Sequence, residues 1–331
     1  MDFDLSDDQL ALRGAARDLL ADLAHPREAD GFDTSLWKAM TDQGWLGVEL
    51  PEADGGLGMG TVEAAVLLEE LGRHVAPVPY LQSALALGVL HRAGRTDWVE
   101  RLVAGDVVGT IAAKRGGLTV AAPLADVAVV IDGDALLLVD LTDRRPAREP
   151  AMDLTRPVGW LAVADGEGER IGGADEARTL LDRAAAGHAA EMLGAADRVL
   201  AMAVDYAKER EQFGQPIGSF QAVKHRCADM LVDVEGMRSA VYYAAWSIGA
   251  DHADASIAAS TAKVWCSDAA KRVMASALQV HGGIGFTWEH DLHLFLKRSQ
   301  LDQVSFGDAA FHRDRLAGLL RQRVEAGQSV V

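Results

Sequence analysis

Two cysteines in 331 residues, Cys227 and Cys266, leave too little material for a disulfide framework. They stand far apart with no CxxC spacing, so they are expected to be reduced, buried and inert, as in a cytoplasmic protein. Positive charge is also scarce. Lys and Arg number 32 against 49 Asp and Glu, a formal net charge of -17. That sign argues against nucleic acid as a partner, because phosphate binding needs a basic face. Long apolar runs are missing too: polar or charged residues interrupt every hydrophobic stretch before the roughly 18 residues of a membrane span. The first twenty positions are acidic and amphipathic and lack the basic and apolar regions of a secretory leader. Histidines such as His74, His188, His225 and His281 show no HExxH-type spacing, so no metal is expected.

What is present is a globular composition, 49% hydrophobic and 24% charged, in a chain too long for one small domain. Three textures follow one another. Residues 1–105 read as helical. Ser6 is placed to cap a first helix whose apolar residues Leu10, Leu12, Ala16, Leu19, Leu20 and Leu23 recur at helical spacing. A second helix is predicted from Ser35 to Gln43, then a glycine-rich loop from Pro51 to Gly58, then three more helices. Residues 106–173 switch to short β-favouring runs, read as a small, mostly antiparallel unit. Asp132-Gly133 or Gly133-Asp134 supplies a hairpin turn there. Residues 174–331 return to helix in long alanine-rich stretches joined by short loops, the pattern of a helical bundle.

Two turns in the last segment carry chemistry. From Arg210 to Gln221 a long helix ends, glycine and proline turn the chain, and a new helix opens near Ser219. Arg210 offers a fixed cationic fork suited to a pyrophosphate, and Phe213 a flat apolar face. The alternative is a helix-terminal arginine answering the helix dipole beside a core phenylalanine. From Gln279 to Phe286 a second helix end meets three glycines in four positions. Such backbone permits close approach of a bulky ligand and frees amides for anions. A simple glycine cap would need one glycine.

Together these two stretches resemble the acyl-CoA dehydrogenase family, in which R-x-x-F-G-x-P-I-x-x-F-Q and Q-x-x-G-G-x-G-F occur in this order. The Pro51 to Gly58 loop and residues 155–163 are similar to that family as well. The resemblance implies a mainly α fold: an N-terminal helical domain, a middle β domain, here shortened, and a C-terminal four-helix bundle. It implies FAD and the removal of two hydrogens across Cα and Cβ of an acyl thioester such as acyl-CoA. By the same resemblance Arg210, Gln212 and Phe213 contact FAD bound mainly to a neighbouring subunit. Gln279, Gly282 and Gly283 line that shared site.

Three departures accompany the resemblance. The family's usual base, a glutamate about two dozen residues past the glycine loop, falls on Phe306, which cannot take a proton. An alternative base position falls around residues 182–185, where no glutamate stands. Asp182 and Arg183 are there assigned at most a substrate-positioning role, and Glu191, two turns on, a solvated or structural one. Residues 110–125 contain nothing like the family's flavin-ring loop, and Asp308 replaces a threonine that would face the flavin. Everything lost belongs to the half-site a chain supplies to its own flavin. The resemblance therefore implies a reduced subunit paired with a fuller homologous one, similar to the smaller chain of actinobacterial α2β2 enzymes that act on fatty acyl or steroid side-chain thioesters. A self-sufficient homo-oligomeric flavoenzyme and a non-catalytic binding or structural member stand as alternatives.

Overall fold

Ser6 begins the first helix in the predicted way: its hydroxyl accepts from the Gln9 amide at 3.2 Å, and the Gln9 side chain accepts from the Ser6 amide at 2.9 Å. This reciprocal cap opens α1 (Asp7–Leu23) in the computed structural model, which describes residues 4–329. Residues 1–3 and 330–331, the outer ends of the first and third segments, lie outside the described residues. Helix α2 (Thr34–Asp42) starts one residue before the predicted Ser35, because Asp33 accepts from the amides of Ser35 and Leu36. Helices α3 (Thr61–Arg73), α4 (Tyr80–Arg92) and α5 (Thr96–Val103) follow. The Pro51 to Gly58 loop folds back on itself, with the Gly58 amide donating to the Leu50 carbonyl at 2.8 Å. A Cβ at Gly56 would lie 2.1 Å from that same Leu50 oxygen, so this glycine is dictated by the loop's own packing.

Six strands follow: β1 (Gly109–Ala112), β2 (Gly117–Val120), β3 (Val127–Asp132), β4 (Ala135–Asp140), β5 (Val158–Leu161) and β6 (Glu169–Gly172). They form a four-stranded sheet in the order β1-β3-β4-β6 and a separate β2-β5 pair. Asp132 pairs with Ala135, so the hairpin turn is Gly133-Asp134, with Gly133 at φ +58°. One pairing departs from the antiparallel expectation. Strands β1 and β3 are parallel, because residues 113–126 make β2 and then cross back.

The final segment is dominated by α6 (Ala174–Glu209), α7 (Gln221–Gly249) and α8 (Ala255–His281), which pack on one another. The shorter α9 (Leu292–Val304) lies against α6 and α8, and α10 (Ala309–Glu325) against α8. Helix α6 spans 36 residues and buries an alanine stripe that includes Ala185, Ala189, Ala196 and Ala203. Small side chains allow very close crossing with α3. A Cβ at Gly194 would sit 1.7 Å from the Glu69 carbonyl oxygen, and one at Gly72 would sit 2.0 Å from that of Glu191. Buried apolar residues from the helical segments and the sheet join in one cluster, running from Leu20 through Val129 to Met274. Cys266 lies in it and burial pushes its thiol pKa up, whereas Cys227 is only half-buried, contrary to expectation. No helix among the described residues is long and apolar enough to cross a membrane.

Candidate functional site

Helices α6 and α8 finish side by side, with the rings of Tyr206 and His281 stacked at 4.8 Å. Both motif-bearing turns therefore project from the same end of the bundle. Beyond α6, Arg210 caps the helix in extended conformation, and its guanidinium has no ion pair among the described residues. A two-strand hairpin follows, β7 (Glu211–Gln212) with β8 (Gln215–Pro216). Phe213 and Gly214 form its turn, at φ +54° and +78°. Positive φ at both turn positions favours Asn-Gly, and a phenylalanine there costs on the order of 1 kcal/mol. Phe213 is 93% exposed, so little packing within the chain offsets that cost. Gln212 is exposed beside it and donates to the Glu211 carbonyl at 2.7 Å.

At the end of α8, Gln279 is exposed and Gly282 terminates the helix at φ +63°. Gly283 is exposed, and a Cβ built on it would meet nothing. The chain itself gives no reason for glycine at 283. Phe286 and Trp288, 74% and 64% exposed, extend an apolar face around this turn. Phe213, Phe286 and Trp288 are thus exposed aromatics at the bundle end that carries both turns.

A second feature lies between the strands and the bundle. A cleft of about 610 Å³ is lined by Ile111, Leu118 and Val120 on the β side and by Leu181, Leu301 and Phe306 on the helical side. Phe306 occupies the turn between α9 and α10 at φ +54°. Its ring stacks on His188 at 6.1 Å, and its carbonyl accepts from His312 Nε2 at 3.0 Å. Among the described residues lining the cleft there is no carboxylate. Asp308 faces elsewhere: it caps α10 by accepting from the Phe311 amide at 2.9 Å, which holds its pKa below the usual carboxylate range. Asp182 and Arg183 are not brought to the cleft. Asp182 accepts from Ser256 at 2.5 Å and pairs with Arg315 at 2.6 Å, and Arg183 pairs with Glu49.

Residues 6–106 match the family model of the acyl-CoA dehydrogenase N-terminal domain, and residues 172–320 that of the acyl-CoA dehydrogenase C-terminal domain. Acyl-CoA dehydrogenase IpdE2 of Mycolicibacterium smegmatis is 39% identical over 270 residues, 81% of this chain and 82% of that protein. The chain belongs to the acyl-CoA dehydrogenase family. Acyl-CoA dehydrogenase FadE27 of Mycobacterium tuberculosis is 33% identical, over 86% of this chain and 88% of its own length. Among solved structures, the ChsE4-ChsE5 complex from Mycobacterium tuberculosis is similar at a TM-score of 0.87 and 30% identity, covering 97% of this chain and 99% of that one. The Tcur3481-Tcur3483 steroid ACAD G363A variant is similar at a TM-score of 0.88 and 28% identity, covering 96% and 99%. Both motif turns of this family member lie within the matched stretch 172–320. The cleft's β side lies between the two matched stretches.

Beneath the cleft sits a charge network that sequence reasoning missed. Arg156 pairs with Asp302 at 2.6 Å and with Glu191, all three essentially without solvent contact. Arg298 donates to Asp153 at 3.0 Å and to Thr155, Lys263 donates to the carbonyls of Asp302 and Gln303, and His188 Nδ1 meets Asp302 at 3.0 Å. Three cations, Arg156, Arg298 and Lys263, thus face three anions, Asp153, Glu191 and Asp302. Burial lowers the Lys263 pKa to about 8 and keeps His188 below its ordinary value. Burial alone would raise the Asp302 pKa, but Arg156 and the His188 hydrogen bond hold it low. The ligand atoms of His188, Glu191 and Asp302 lie within 4.8 Å of one another, a spacing that could hold a metal. Arg156 already bridges the two carboxylates, and a dication would upset a closed balance, so the trio reads as structural. Glu191 is accordingly a buried structural acid and not a solvated one. The signal for this network was present as ionisable residues on otherwise buried helix faces: His188 and Glu191 at i,i+3, Arg298 and Asp302 at i,i+4.

Proposed function

We propose that this chain is a subunit of an FAD-dependent acyl-CoA dehydrogenase that desaturates an acyl thioester, and that it supplies cross-subunit FAD contacts while lacking the usual catalytic glutamate. The observation that carries the reading is the pairing of an exposed, strained Phe213 with the unexplained glycine at 283, at one end of the bundle. Both make sense if another molecule closes over them. Arg210 would meet a pyrophosphate by a charge-assisted, forked contact, and Phe213 with Gln212 would border the nucleotide. Gln279, Gly282 and Gly283 would line the same site, where missing side chains let the cofactor approach the backbone. The chemistry a bound FAD supplies is acceptance of a hydride from the acyl β-carbon.

The chain's own cleft fits this chemistry poorly. Among the described residues lining it no carboxylate can take the α-proton, Phe306 fills the position at which the family carries its base, and Leu118 with its cross-strand neighbour Trp160 presents an apolar β surface. The proton-abstracting glutamate then belongs to a fuller homologous partner, in an α2β2 assembly with one complete kind of site. The similar structures described as the ChsE4-ChsE5 complex and as Tcur3481-Tcur3483 support that pairing.

Co-expression with a homologous acyl-CoA dehydrogenase subunit, followed by a flavin count per chain, tests the reading. Alone, the chain is expected to hold little FAD and to be inactive. The complex is expected to hold about one flavin per pair of unlike chains. A yellow, active protein purified alone would sink the proposal. In the complex, Arg210→Ala should weaken FAD retention by roughly 10- to 100-fold, the loss of a charged hydrogen bond worth about 1.5–3 kcal/mol.

A further inference from the structure

The turns that carry Arg210 and Gly283 leave different helices, so a ligand that touches both needs their spacing held. The rings of Tyr206 and His281 stand between them. Tyr206 lies one helical turn before Arg210, and its carbonyl accepts from the Arg210 amide at 2.8 Å. His281 ends α8, immediately before Gly282. The two rings stack at 4.8 Å with 21° between their planes. The second turn also folds over the imidazole: a Cβ on Gly285 would lie 3.1 Å from the Cβ of His281. An aromatic stack of this kind resists both sliding and separation.

The stack suits a neutral imidazole. His281 is 3% exposed, and its Nδ1 donates to the Ala277 carbonyl at 2.8 Å, which leaves Nε2 as a lone pair. That Nε2 has no hydrogen-bond partner among the described residues. An imidazolium would bury a further N–H with no acceptor and a charge with no counter-ion. The groups around it supply none. Tyr206 faces it from α6, and His290 meets it edge to face at 4.6 Å. Beyond His290 stand His293 and Lys297 on α9, Arg27 from the loop before α2, and Asp291, which is already paired with Arg27 at 2.6 Å. Burial and the neighbouring His290 keep the His281 pKa below its ordinary value, against the bond to Ala277.

We propose that Tyr206 and His281 are positioning residues for the cofactor contact, their stacked rings holding the Arg210 and Gly283 turns at one separation. His281 is buried and Tyr206 half-buried, so both act through the turns they precede. In acid His281 takes a proton and the pair loosens. The inference rests on the reading of these turns as a cofactor half-site.

The test is FAD retention by the complex with a homologous subunit. Tyr206→Leu and His281→Leu should each weaken it about three- to tenfold, the worth of an aromatic pair, and the double variant little further than either alone. Tyr206→Phe and His281→Phe keep two rings and should stay within about twofold of wild type. Between about pH 7.5 and 5.5 the wild-type complex should lose affinity severalfold, and His281→Phe, which cannot take a proton, should remove most of that loss. In the chain alone, Tyr206→Leu should speed hydrogen exchange at the Gly282 amide, which donates to Leu278 on the other helix. If the leucine variants do not fold, the phenylalanine variants and their pH profiles carry the test. Ring variants that hold FAD like wild type, phenylalanine variants as impaired as leucine ones, an unchanged pH slope in His281→Phe, or unchanged exchange at Gly282 would each overturn the proposal while the subunit reading stands. A wild-type complex that holds no flavin would sink both.

Discussion

At the scale of single residues, the chain keeps two phenylalanines in left-handed backbone, Phe213 at φ +54° and Phe306 at φ +54°. They differ in what the fold returns. Phe306 is half-buried against His188 in the cleft, while Phe213 is almost wholly in solvent. Replacing Phe213 by glycine should relieve the turn and stabilise the isolated chain by about 1 kcal/mol, read as a higher denaturant midpoint. If the subunit reading holds, the same variant should bind the proposed partner subunit less tightly. A Phe213→Gly chain that loses stability, or whose complex is unimpaired, would show that the ring serves the monomer instead. Phe306→Glu places a carboxyl in the cleft without restoring a surface for a flavin ring. It is expected to leave the chain alone inactive, and dehydrogenation by that variant would contradict the account of the cleft.

Among elements, the crossing of α3 and α6 is the tightest contact, made through Gly72 and Gly194. Gly194→Ala should cost roughly 3 kcal/mol or more, since the added methyl meets a backbone carbonyl that cannot swing aside. Gly318→Ala in α10 meets nothing within 4 Å and should instead stabilise by about 0.5–1 kcal/mol through helix propensity. Urea midpoints moving in the same direction for both variants would refute this view of the crossing. The helices themselves were legible because capping and periodicity belong to contiguous residues: Ser6 with Gln9, the unbroken alanine stretch of α6, the glycine after α8. Asp33 and Asp308 show the limit. Neither reads as a helix cap in the sequence, where Asp33 has no assigned role and Asp308 stands for a threonine facing the flavin, and only the structure places each carboxylate on helix amides. The parallel β1-β3 pair was illegible, since pairing direction depends on how β2 crosses and not on the strands' composition.

For the whole molecule, the buried charges tie the strands' connecting segment, through Asp153 and Arg156, to α6, α8 and α9. Buried groups in and beside this network, with His312 on α10, are expected to lower stability in acid. Burial lowers the pKa of His188 and takes that of His312 from about 6.5 to about 4. Below about pH 6.5 the unfolded chain therefore binds protons that the folded chain refuses, so stability falls as pH drops and the His312 contribution levels off near pH 4. Asp302 acts in the same direction at lower pH: its contribution is present above the ordinary carboxylate pKa and fades as pH falls through its lowered folded value. From His312 alone a loss of at most about 3 kcal/mol is expected between neutrality and pH 4, checked by urea midpoints across that range. A midpoint that does not move would mean these histidines are charged in the folded state.

The amino-acid order by itself determined the helix–strand–helix succession and the two glycine-bearing turns, because caps, breakers and periodicity act over a few residues. Packing alone decided that those turns share one end of the bundle. Packing also decided that no acid among the described residues lines the cleft and that Arg156, Glu191 and Asp302 meet in a dry interior. Burial is what turned those last three from unremarkable surface types into a closed, balanced set, and burial is a property no local stretch of sequence possesses.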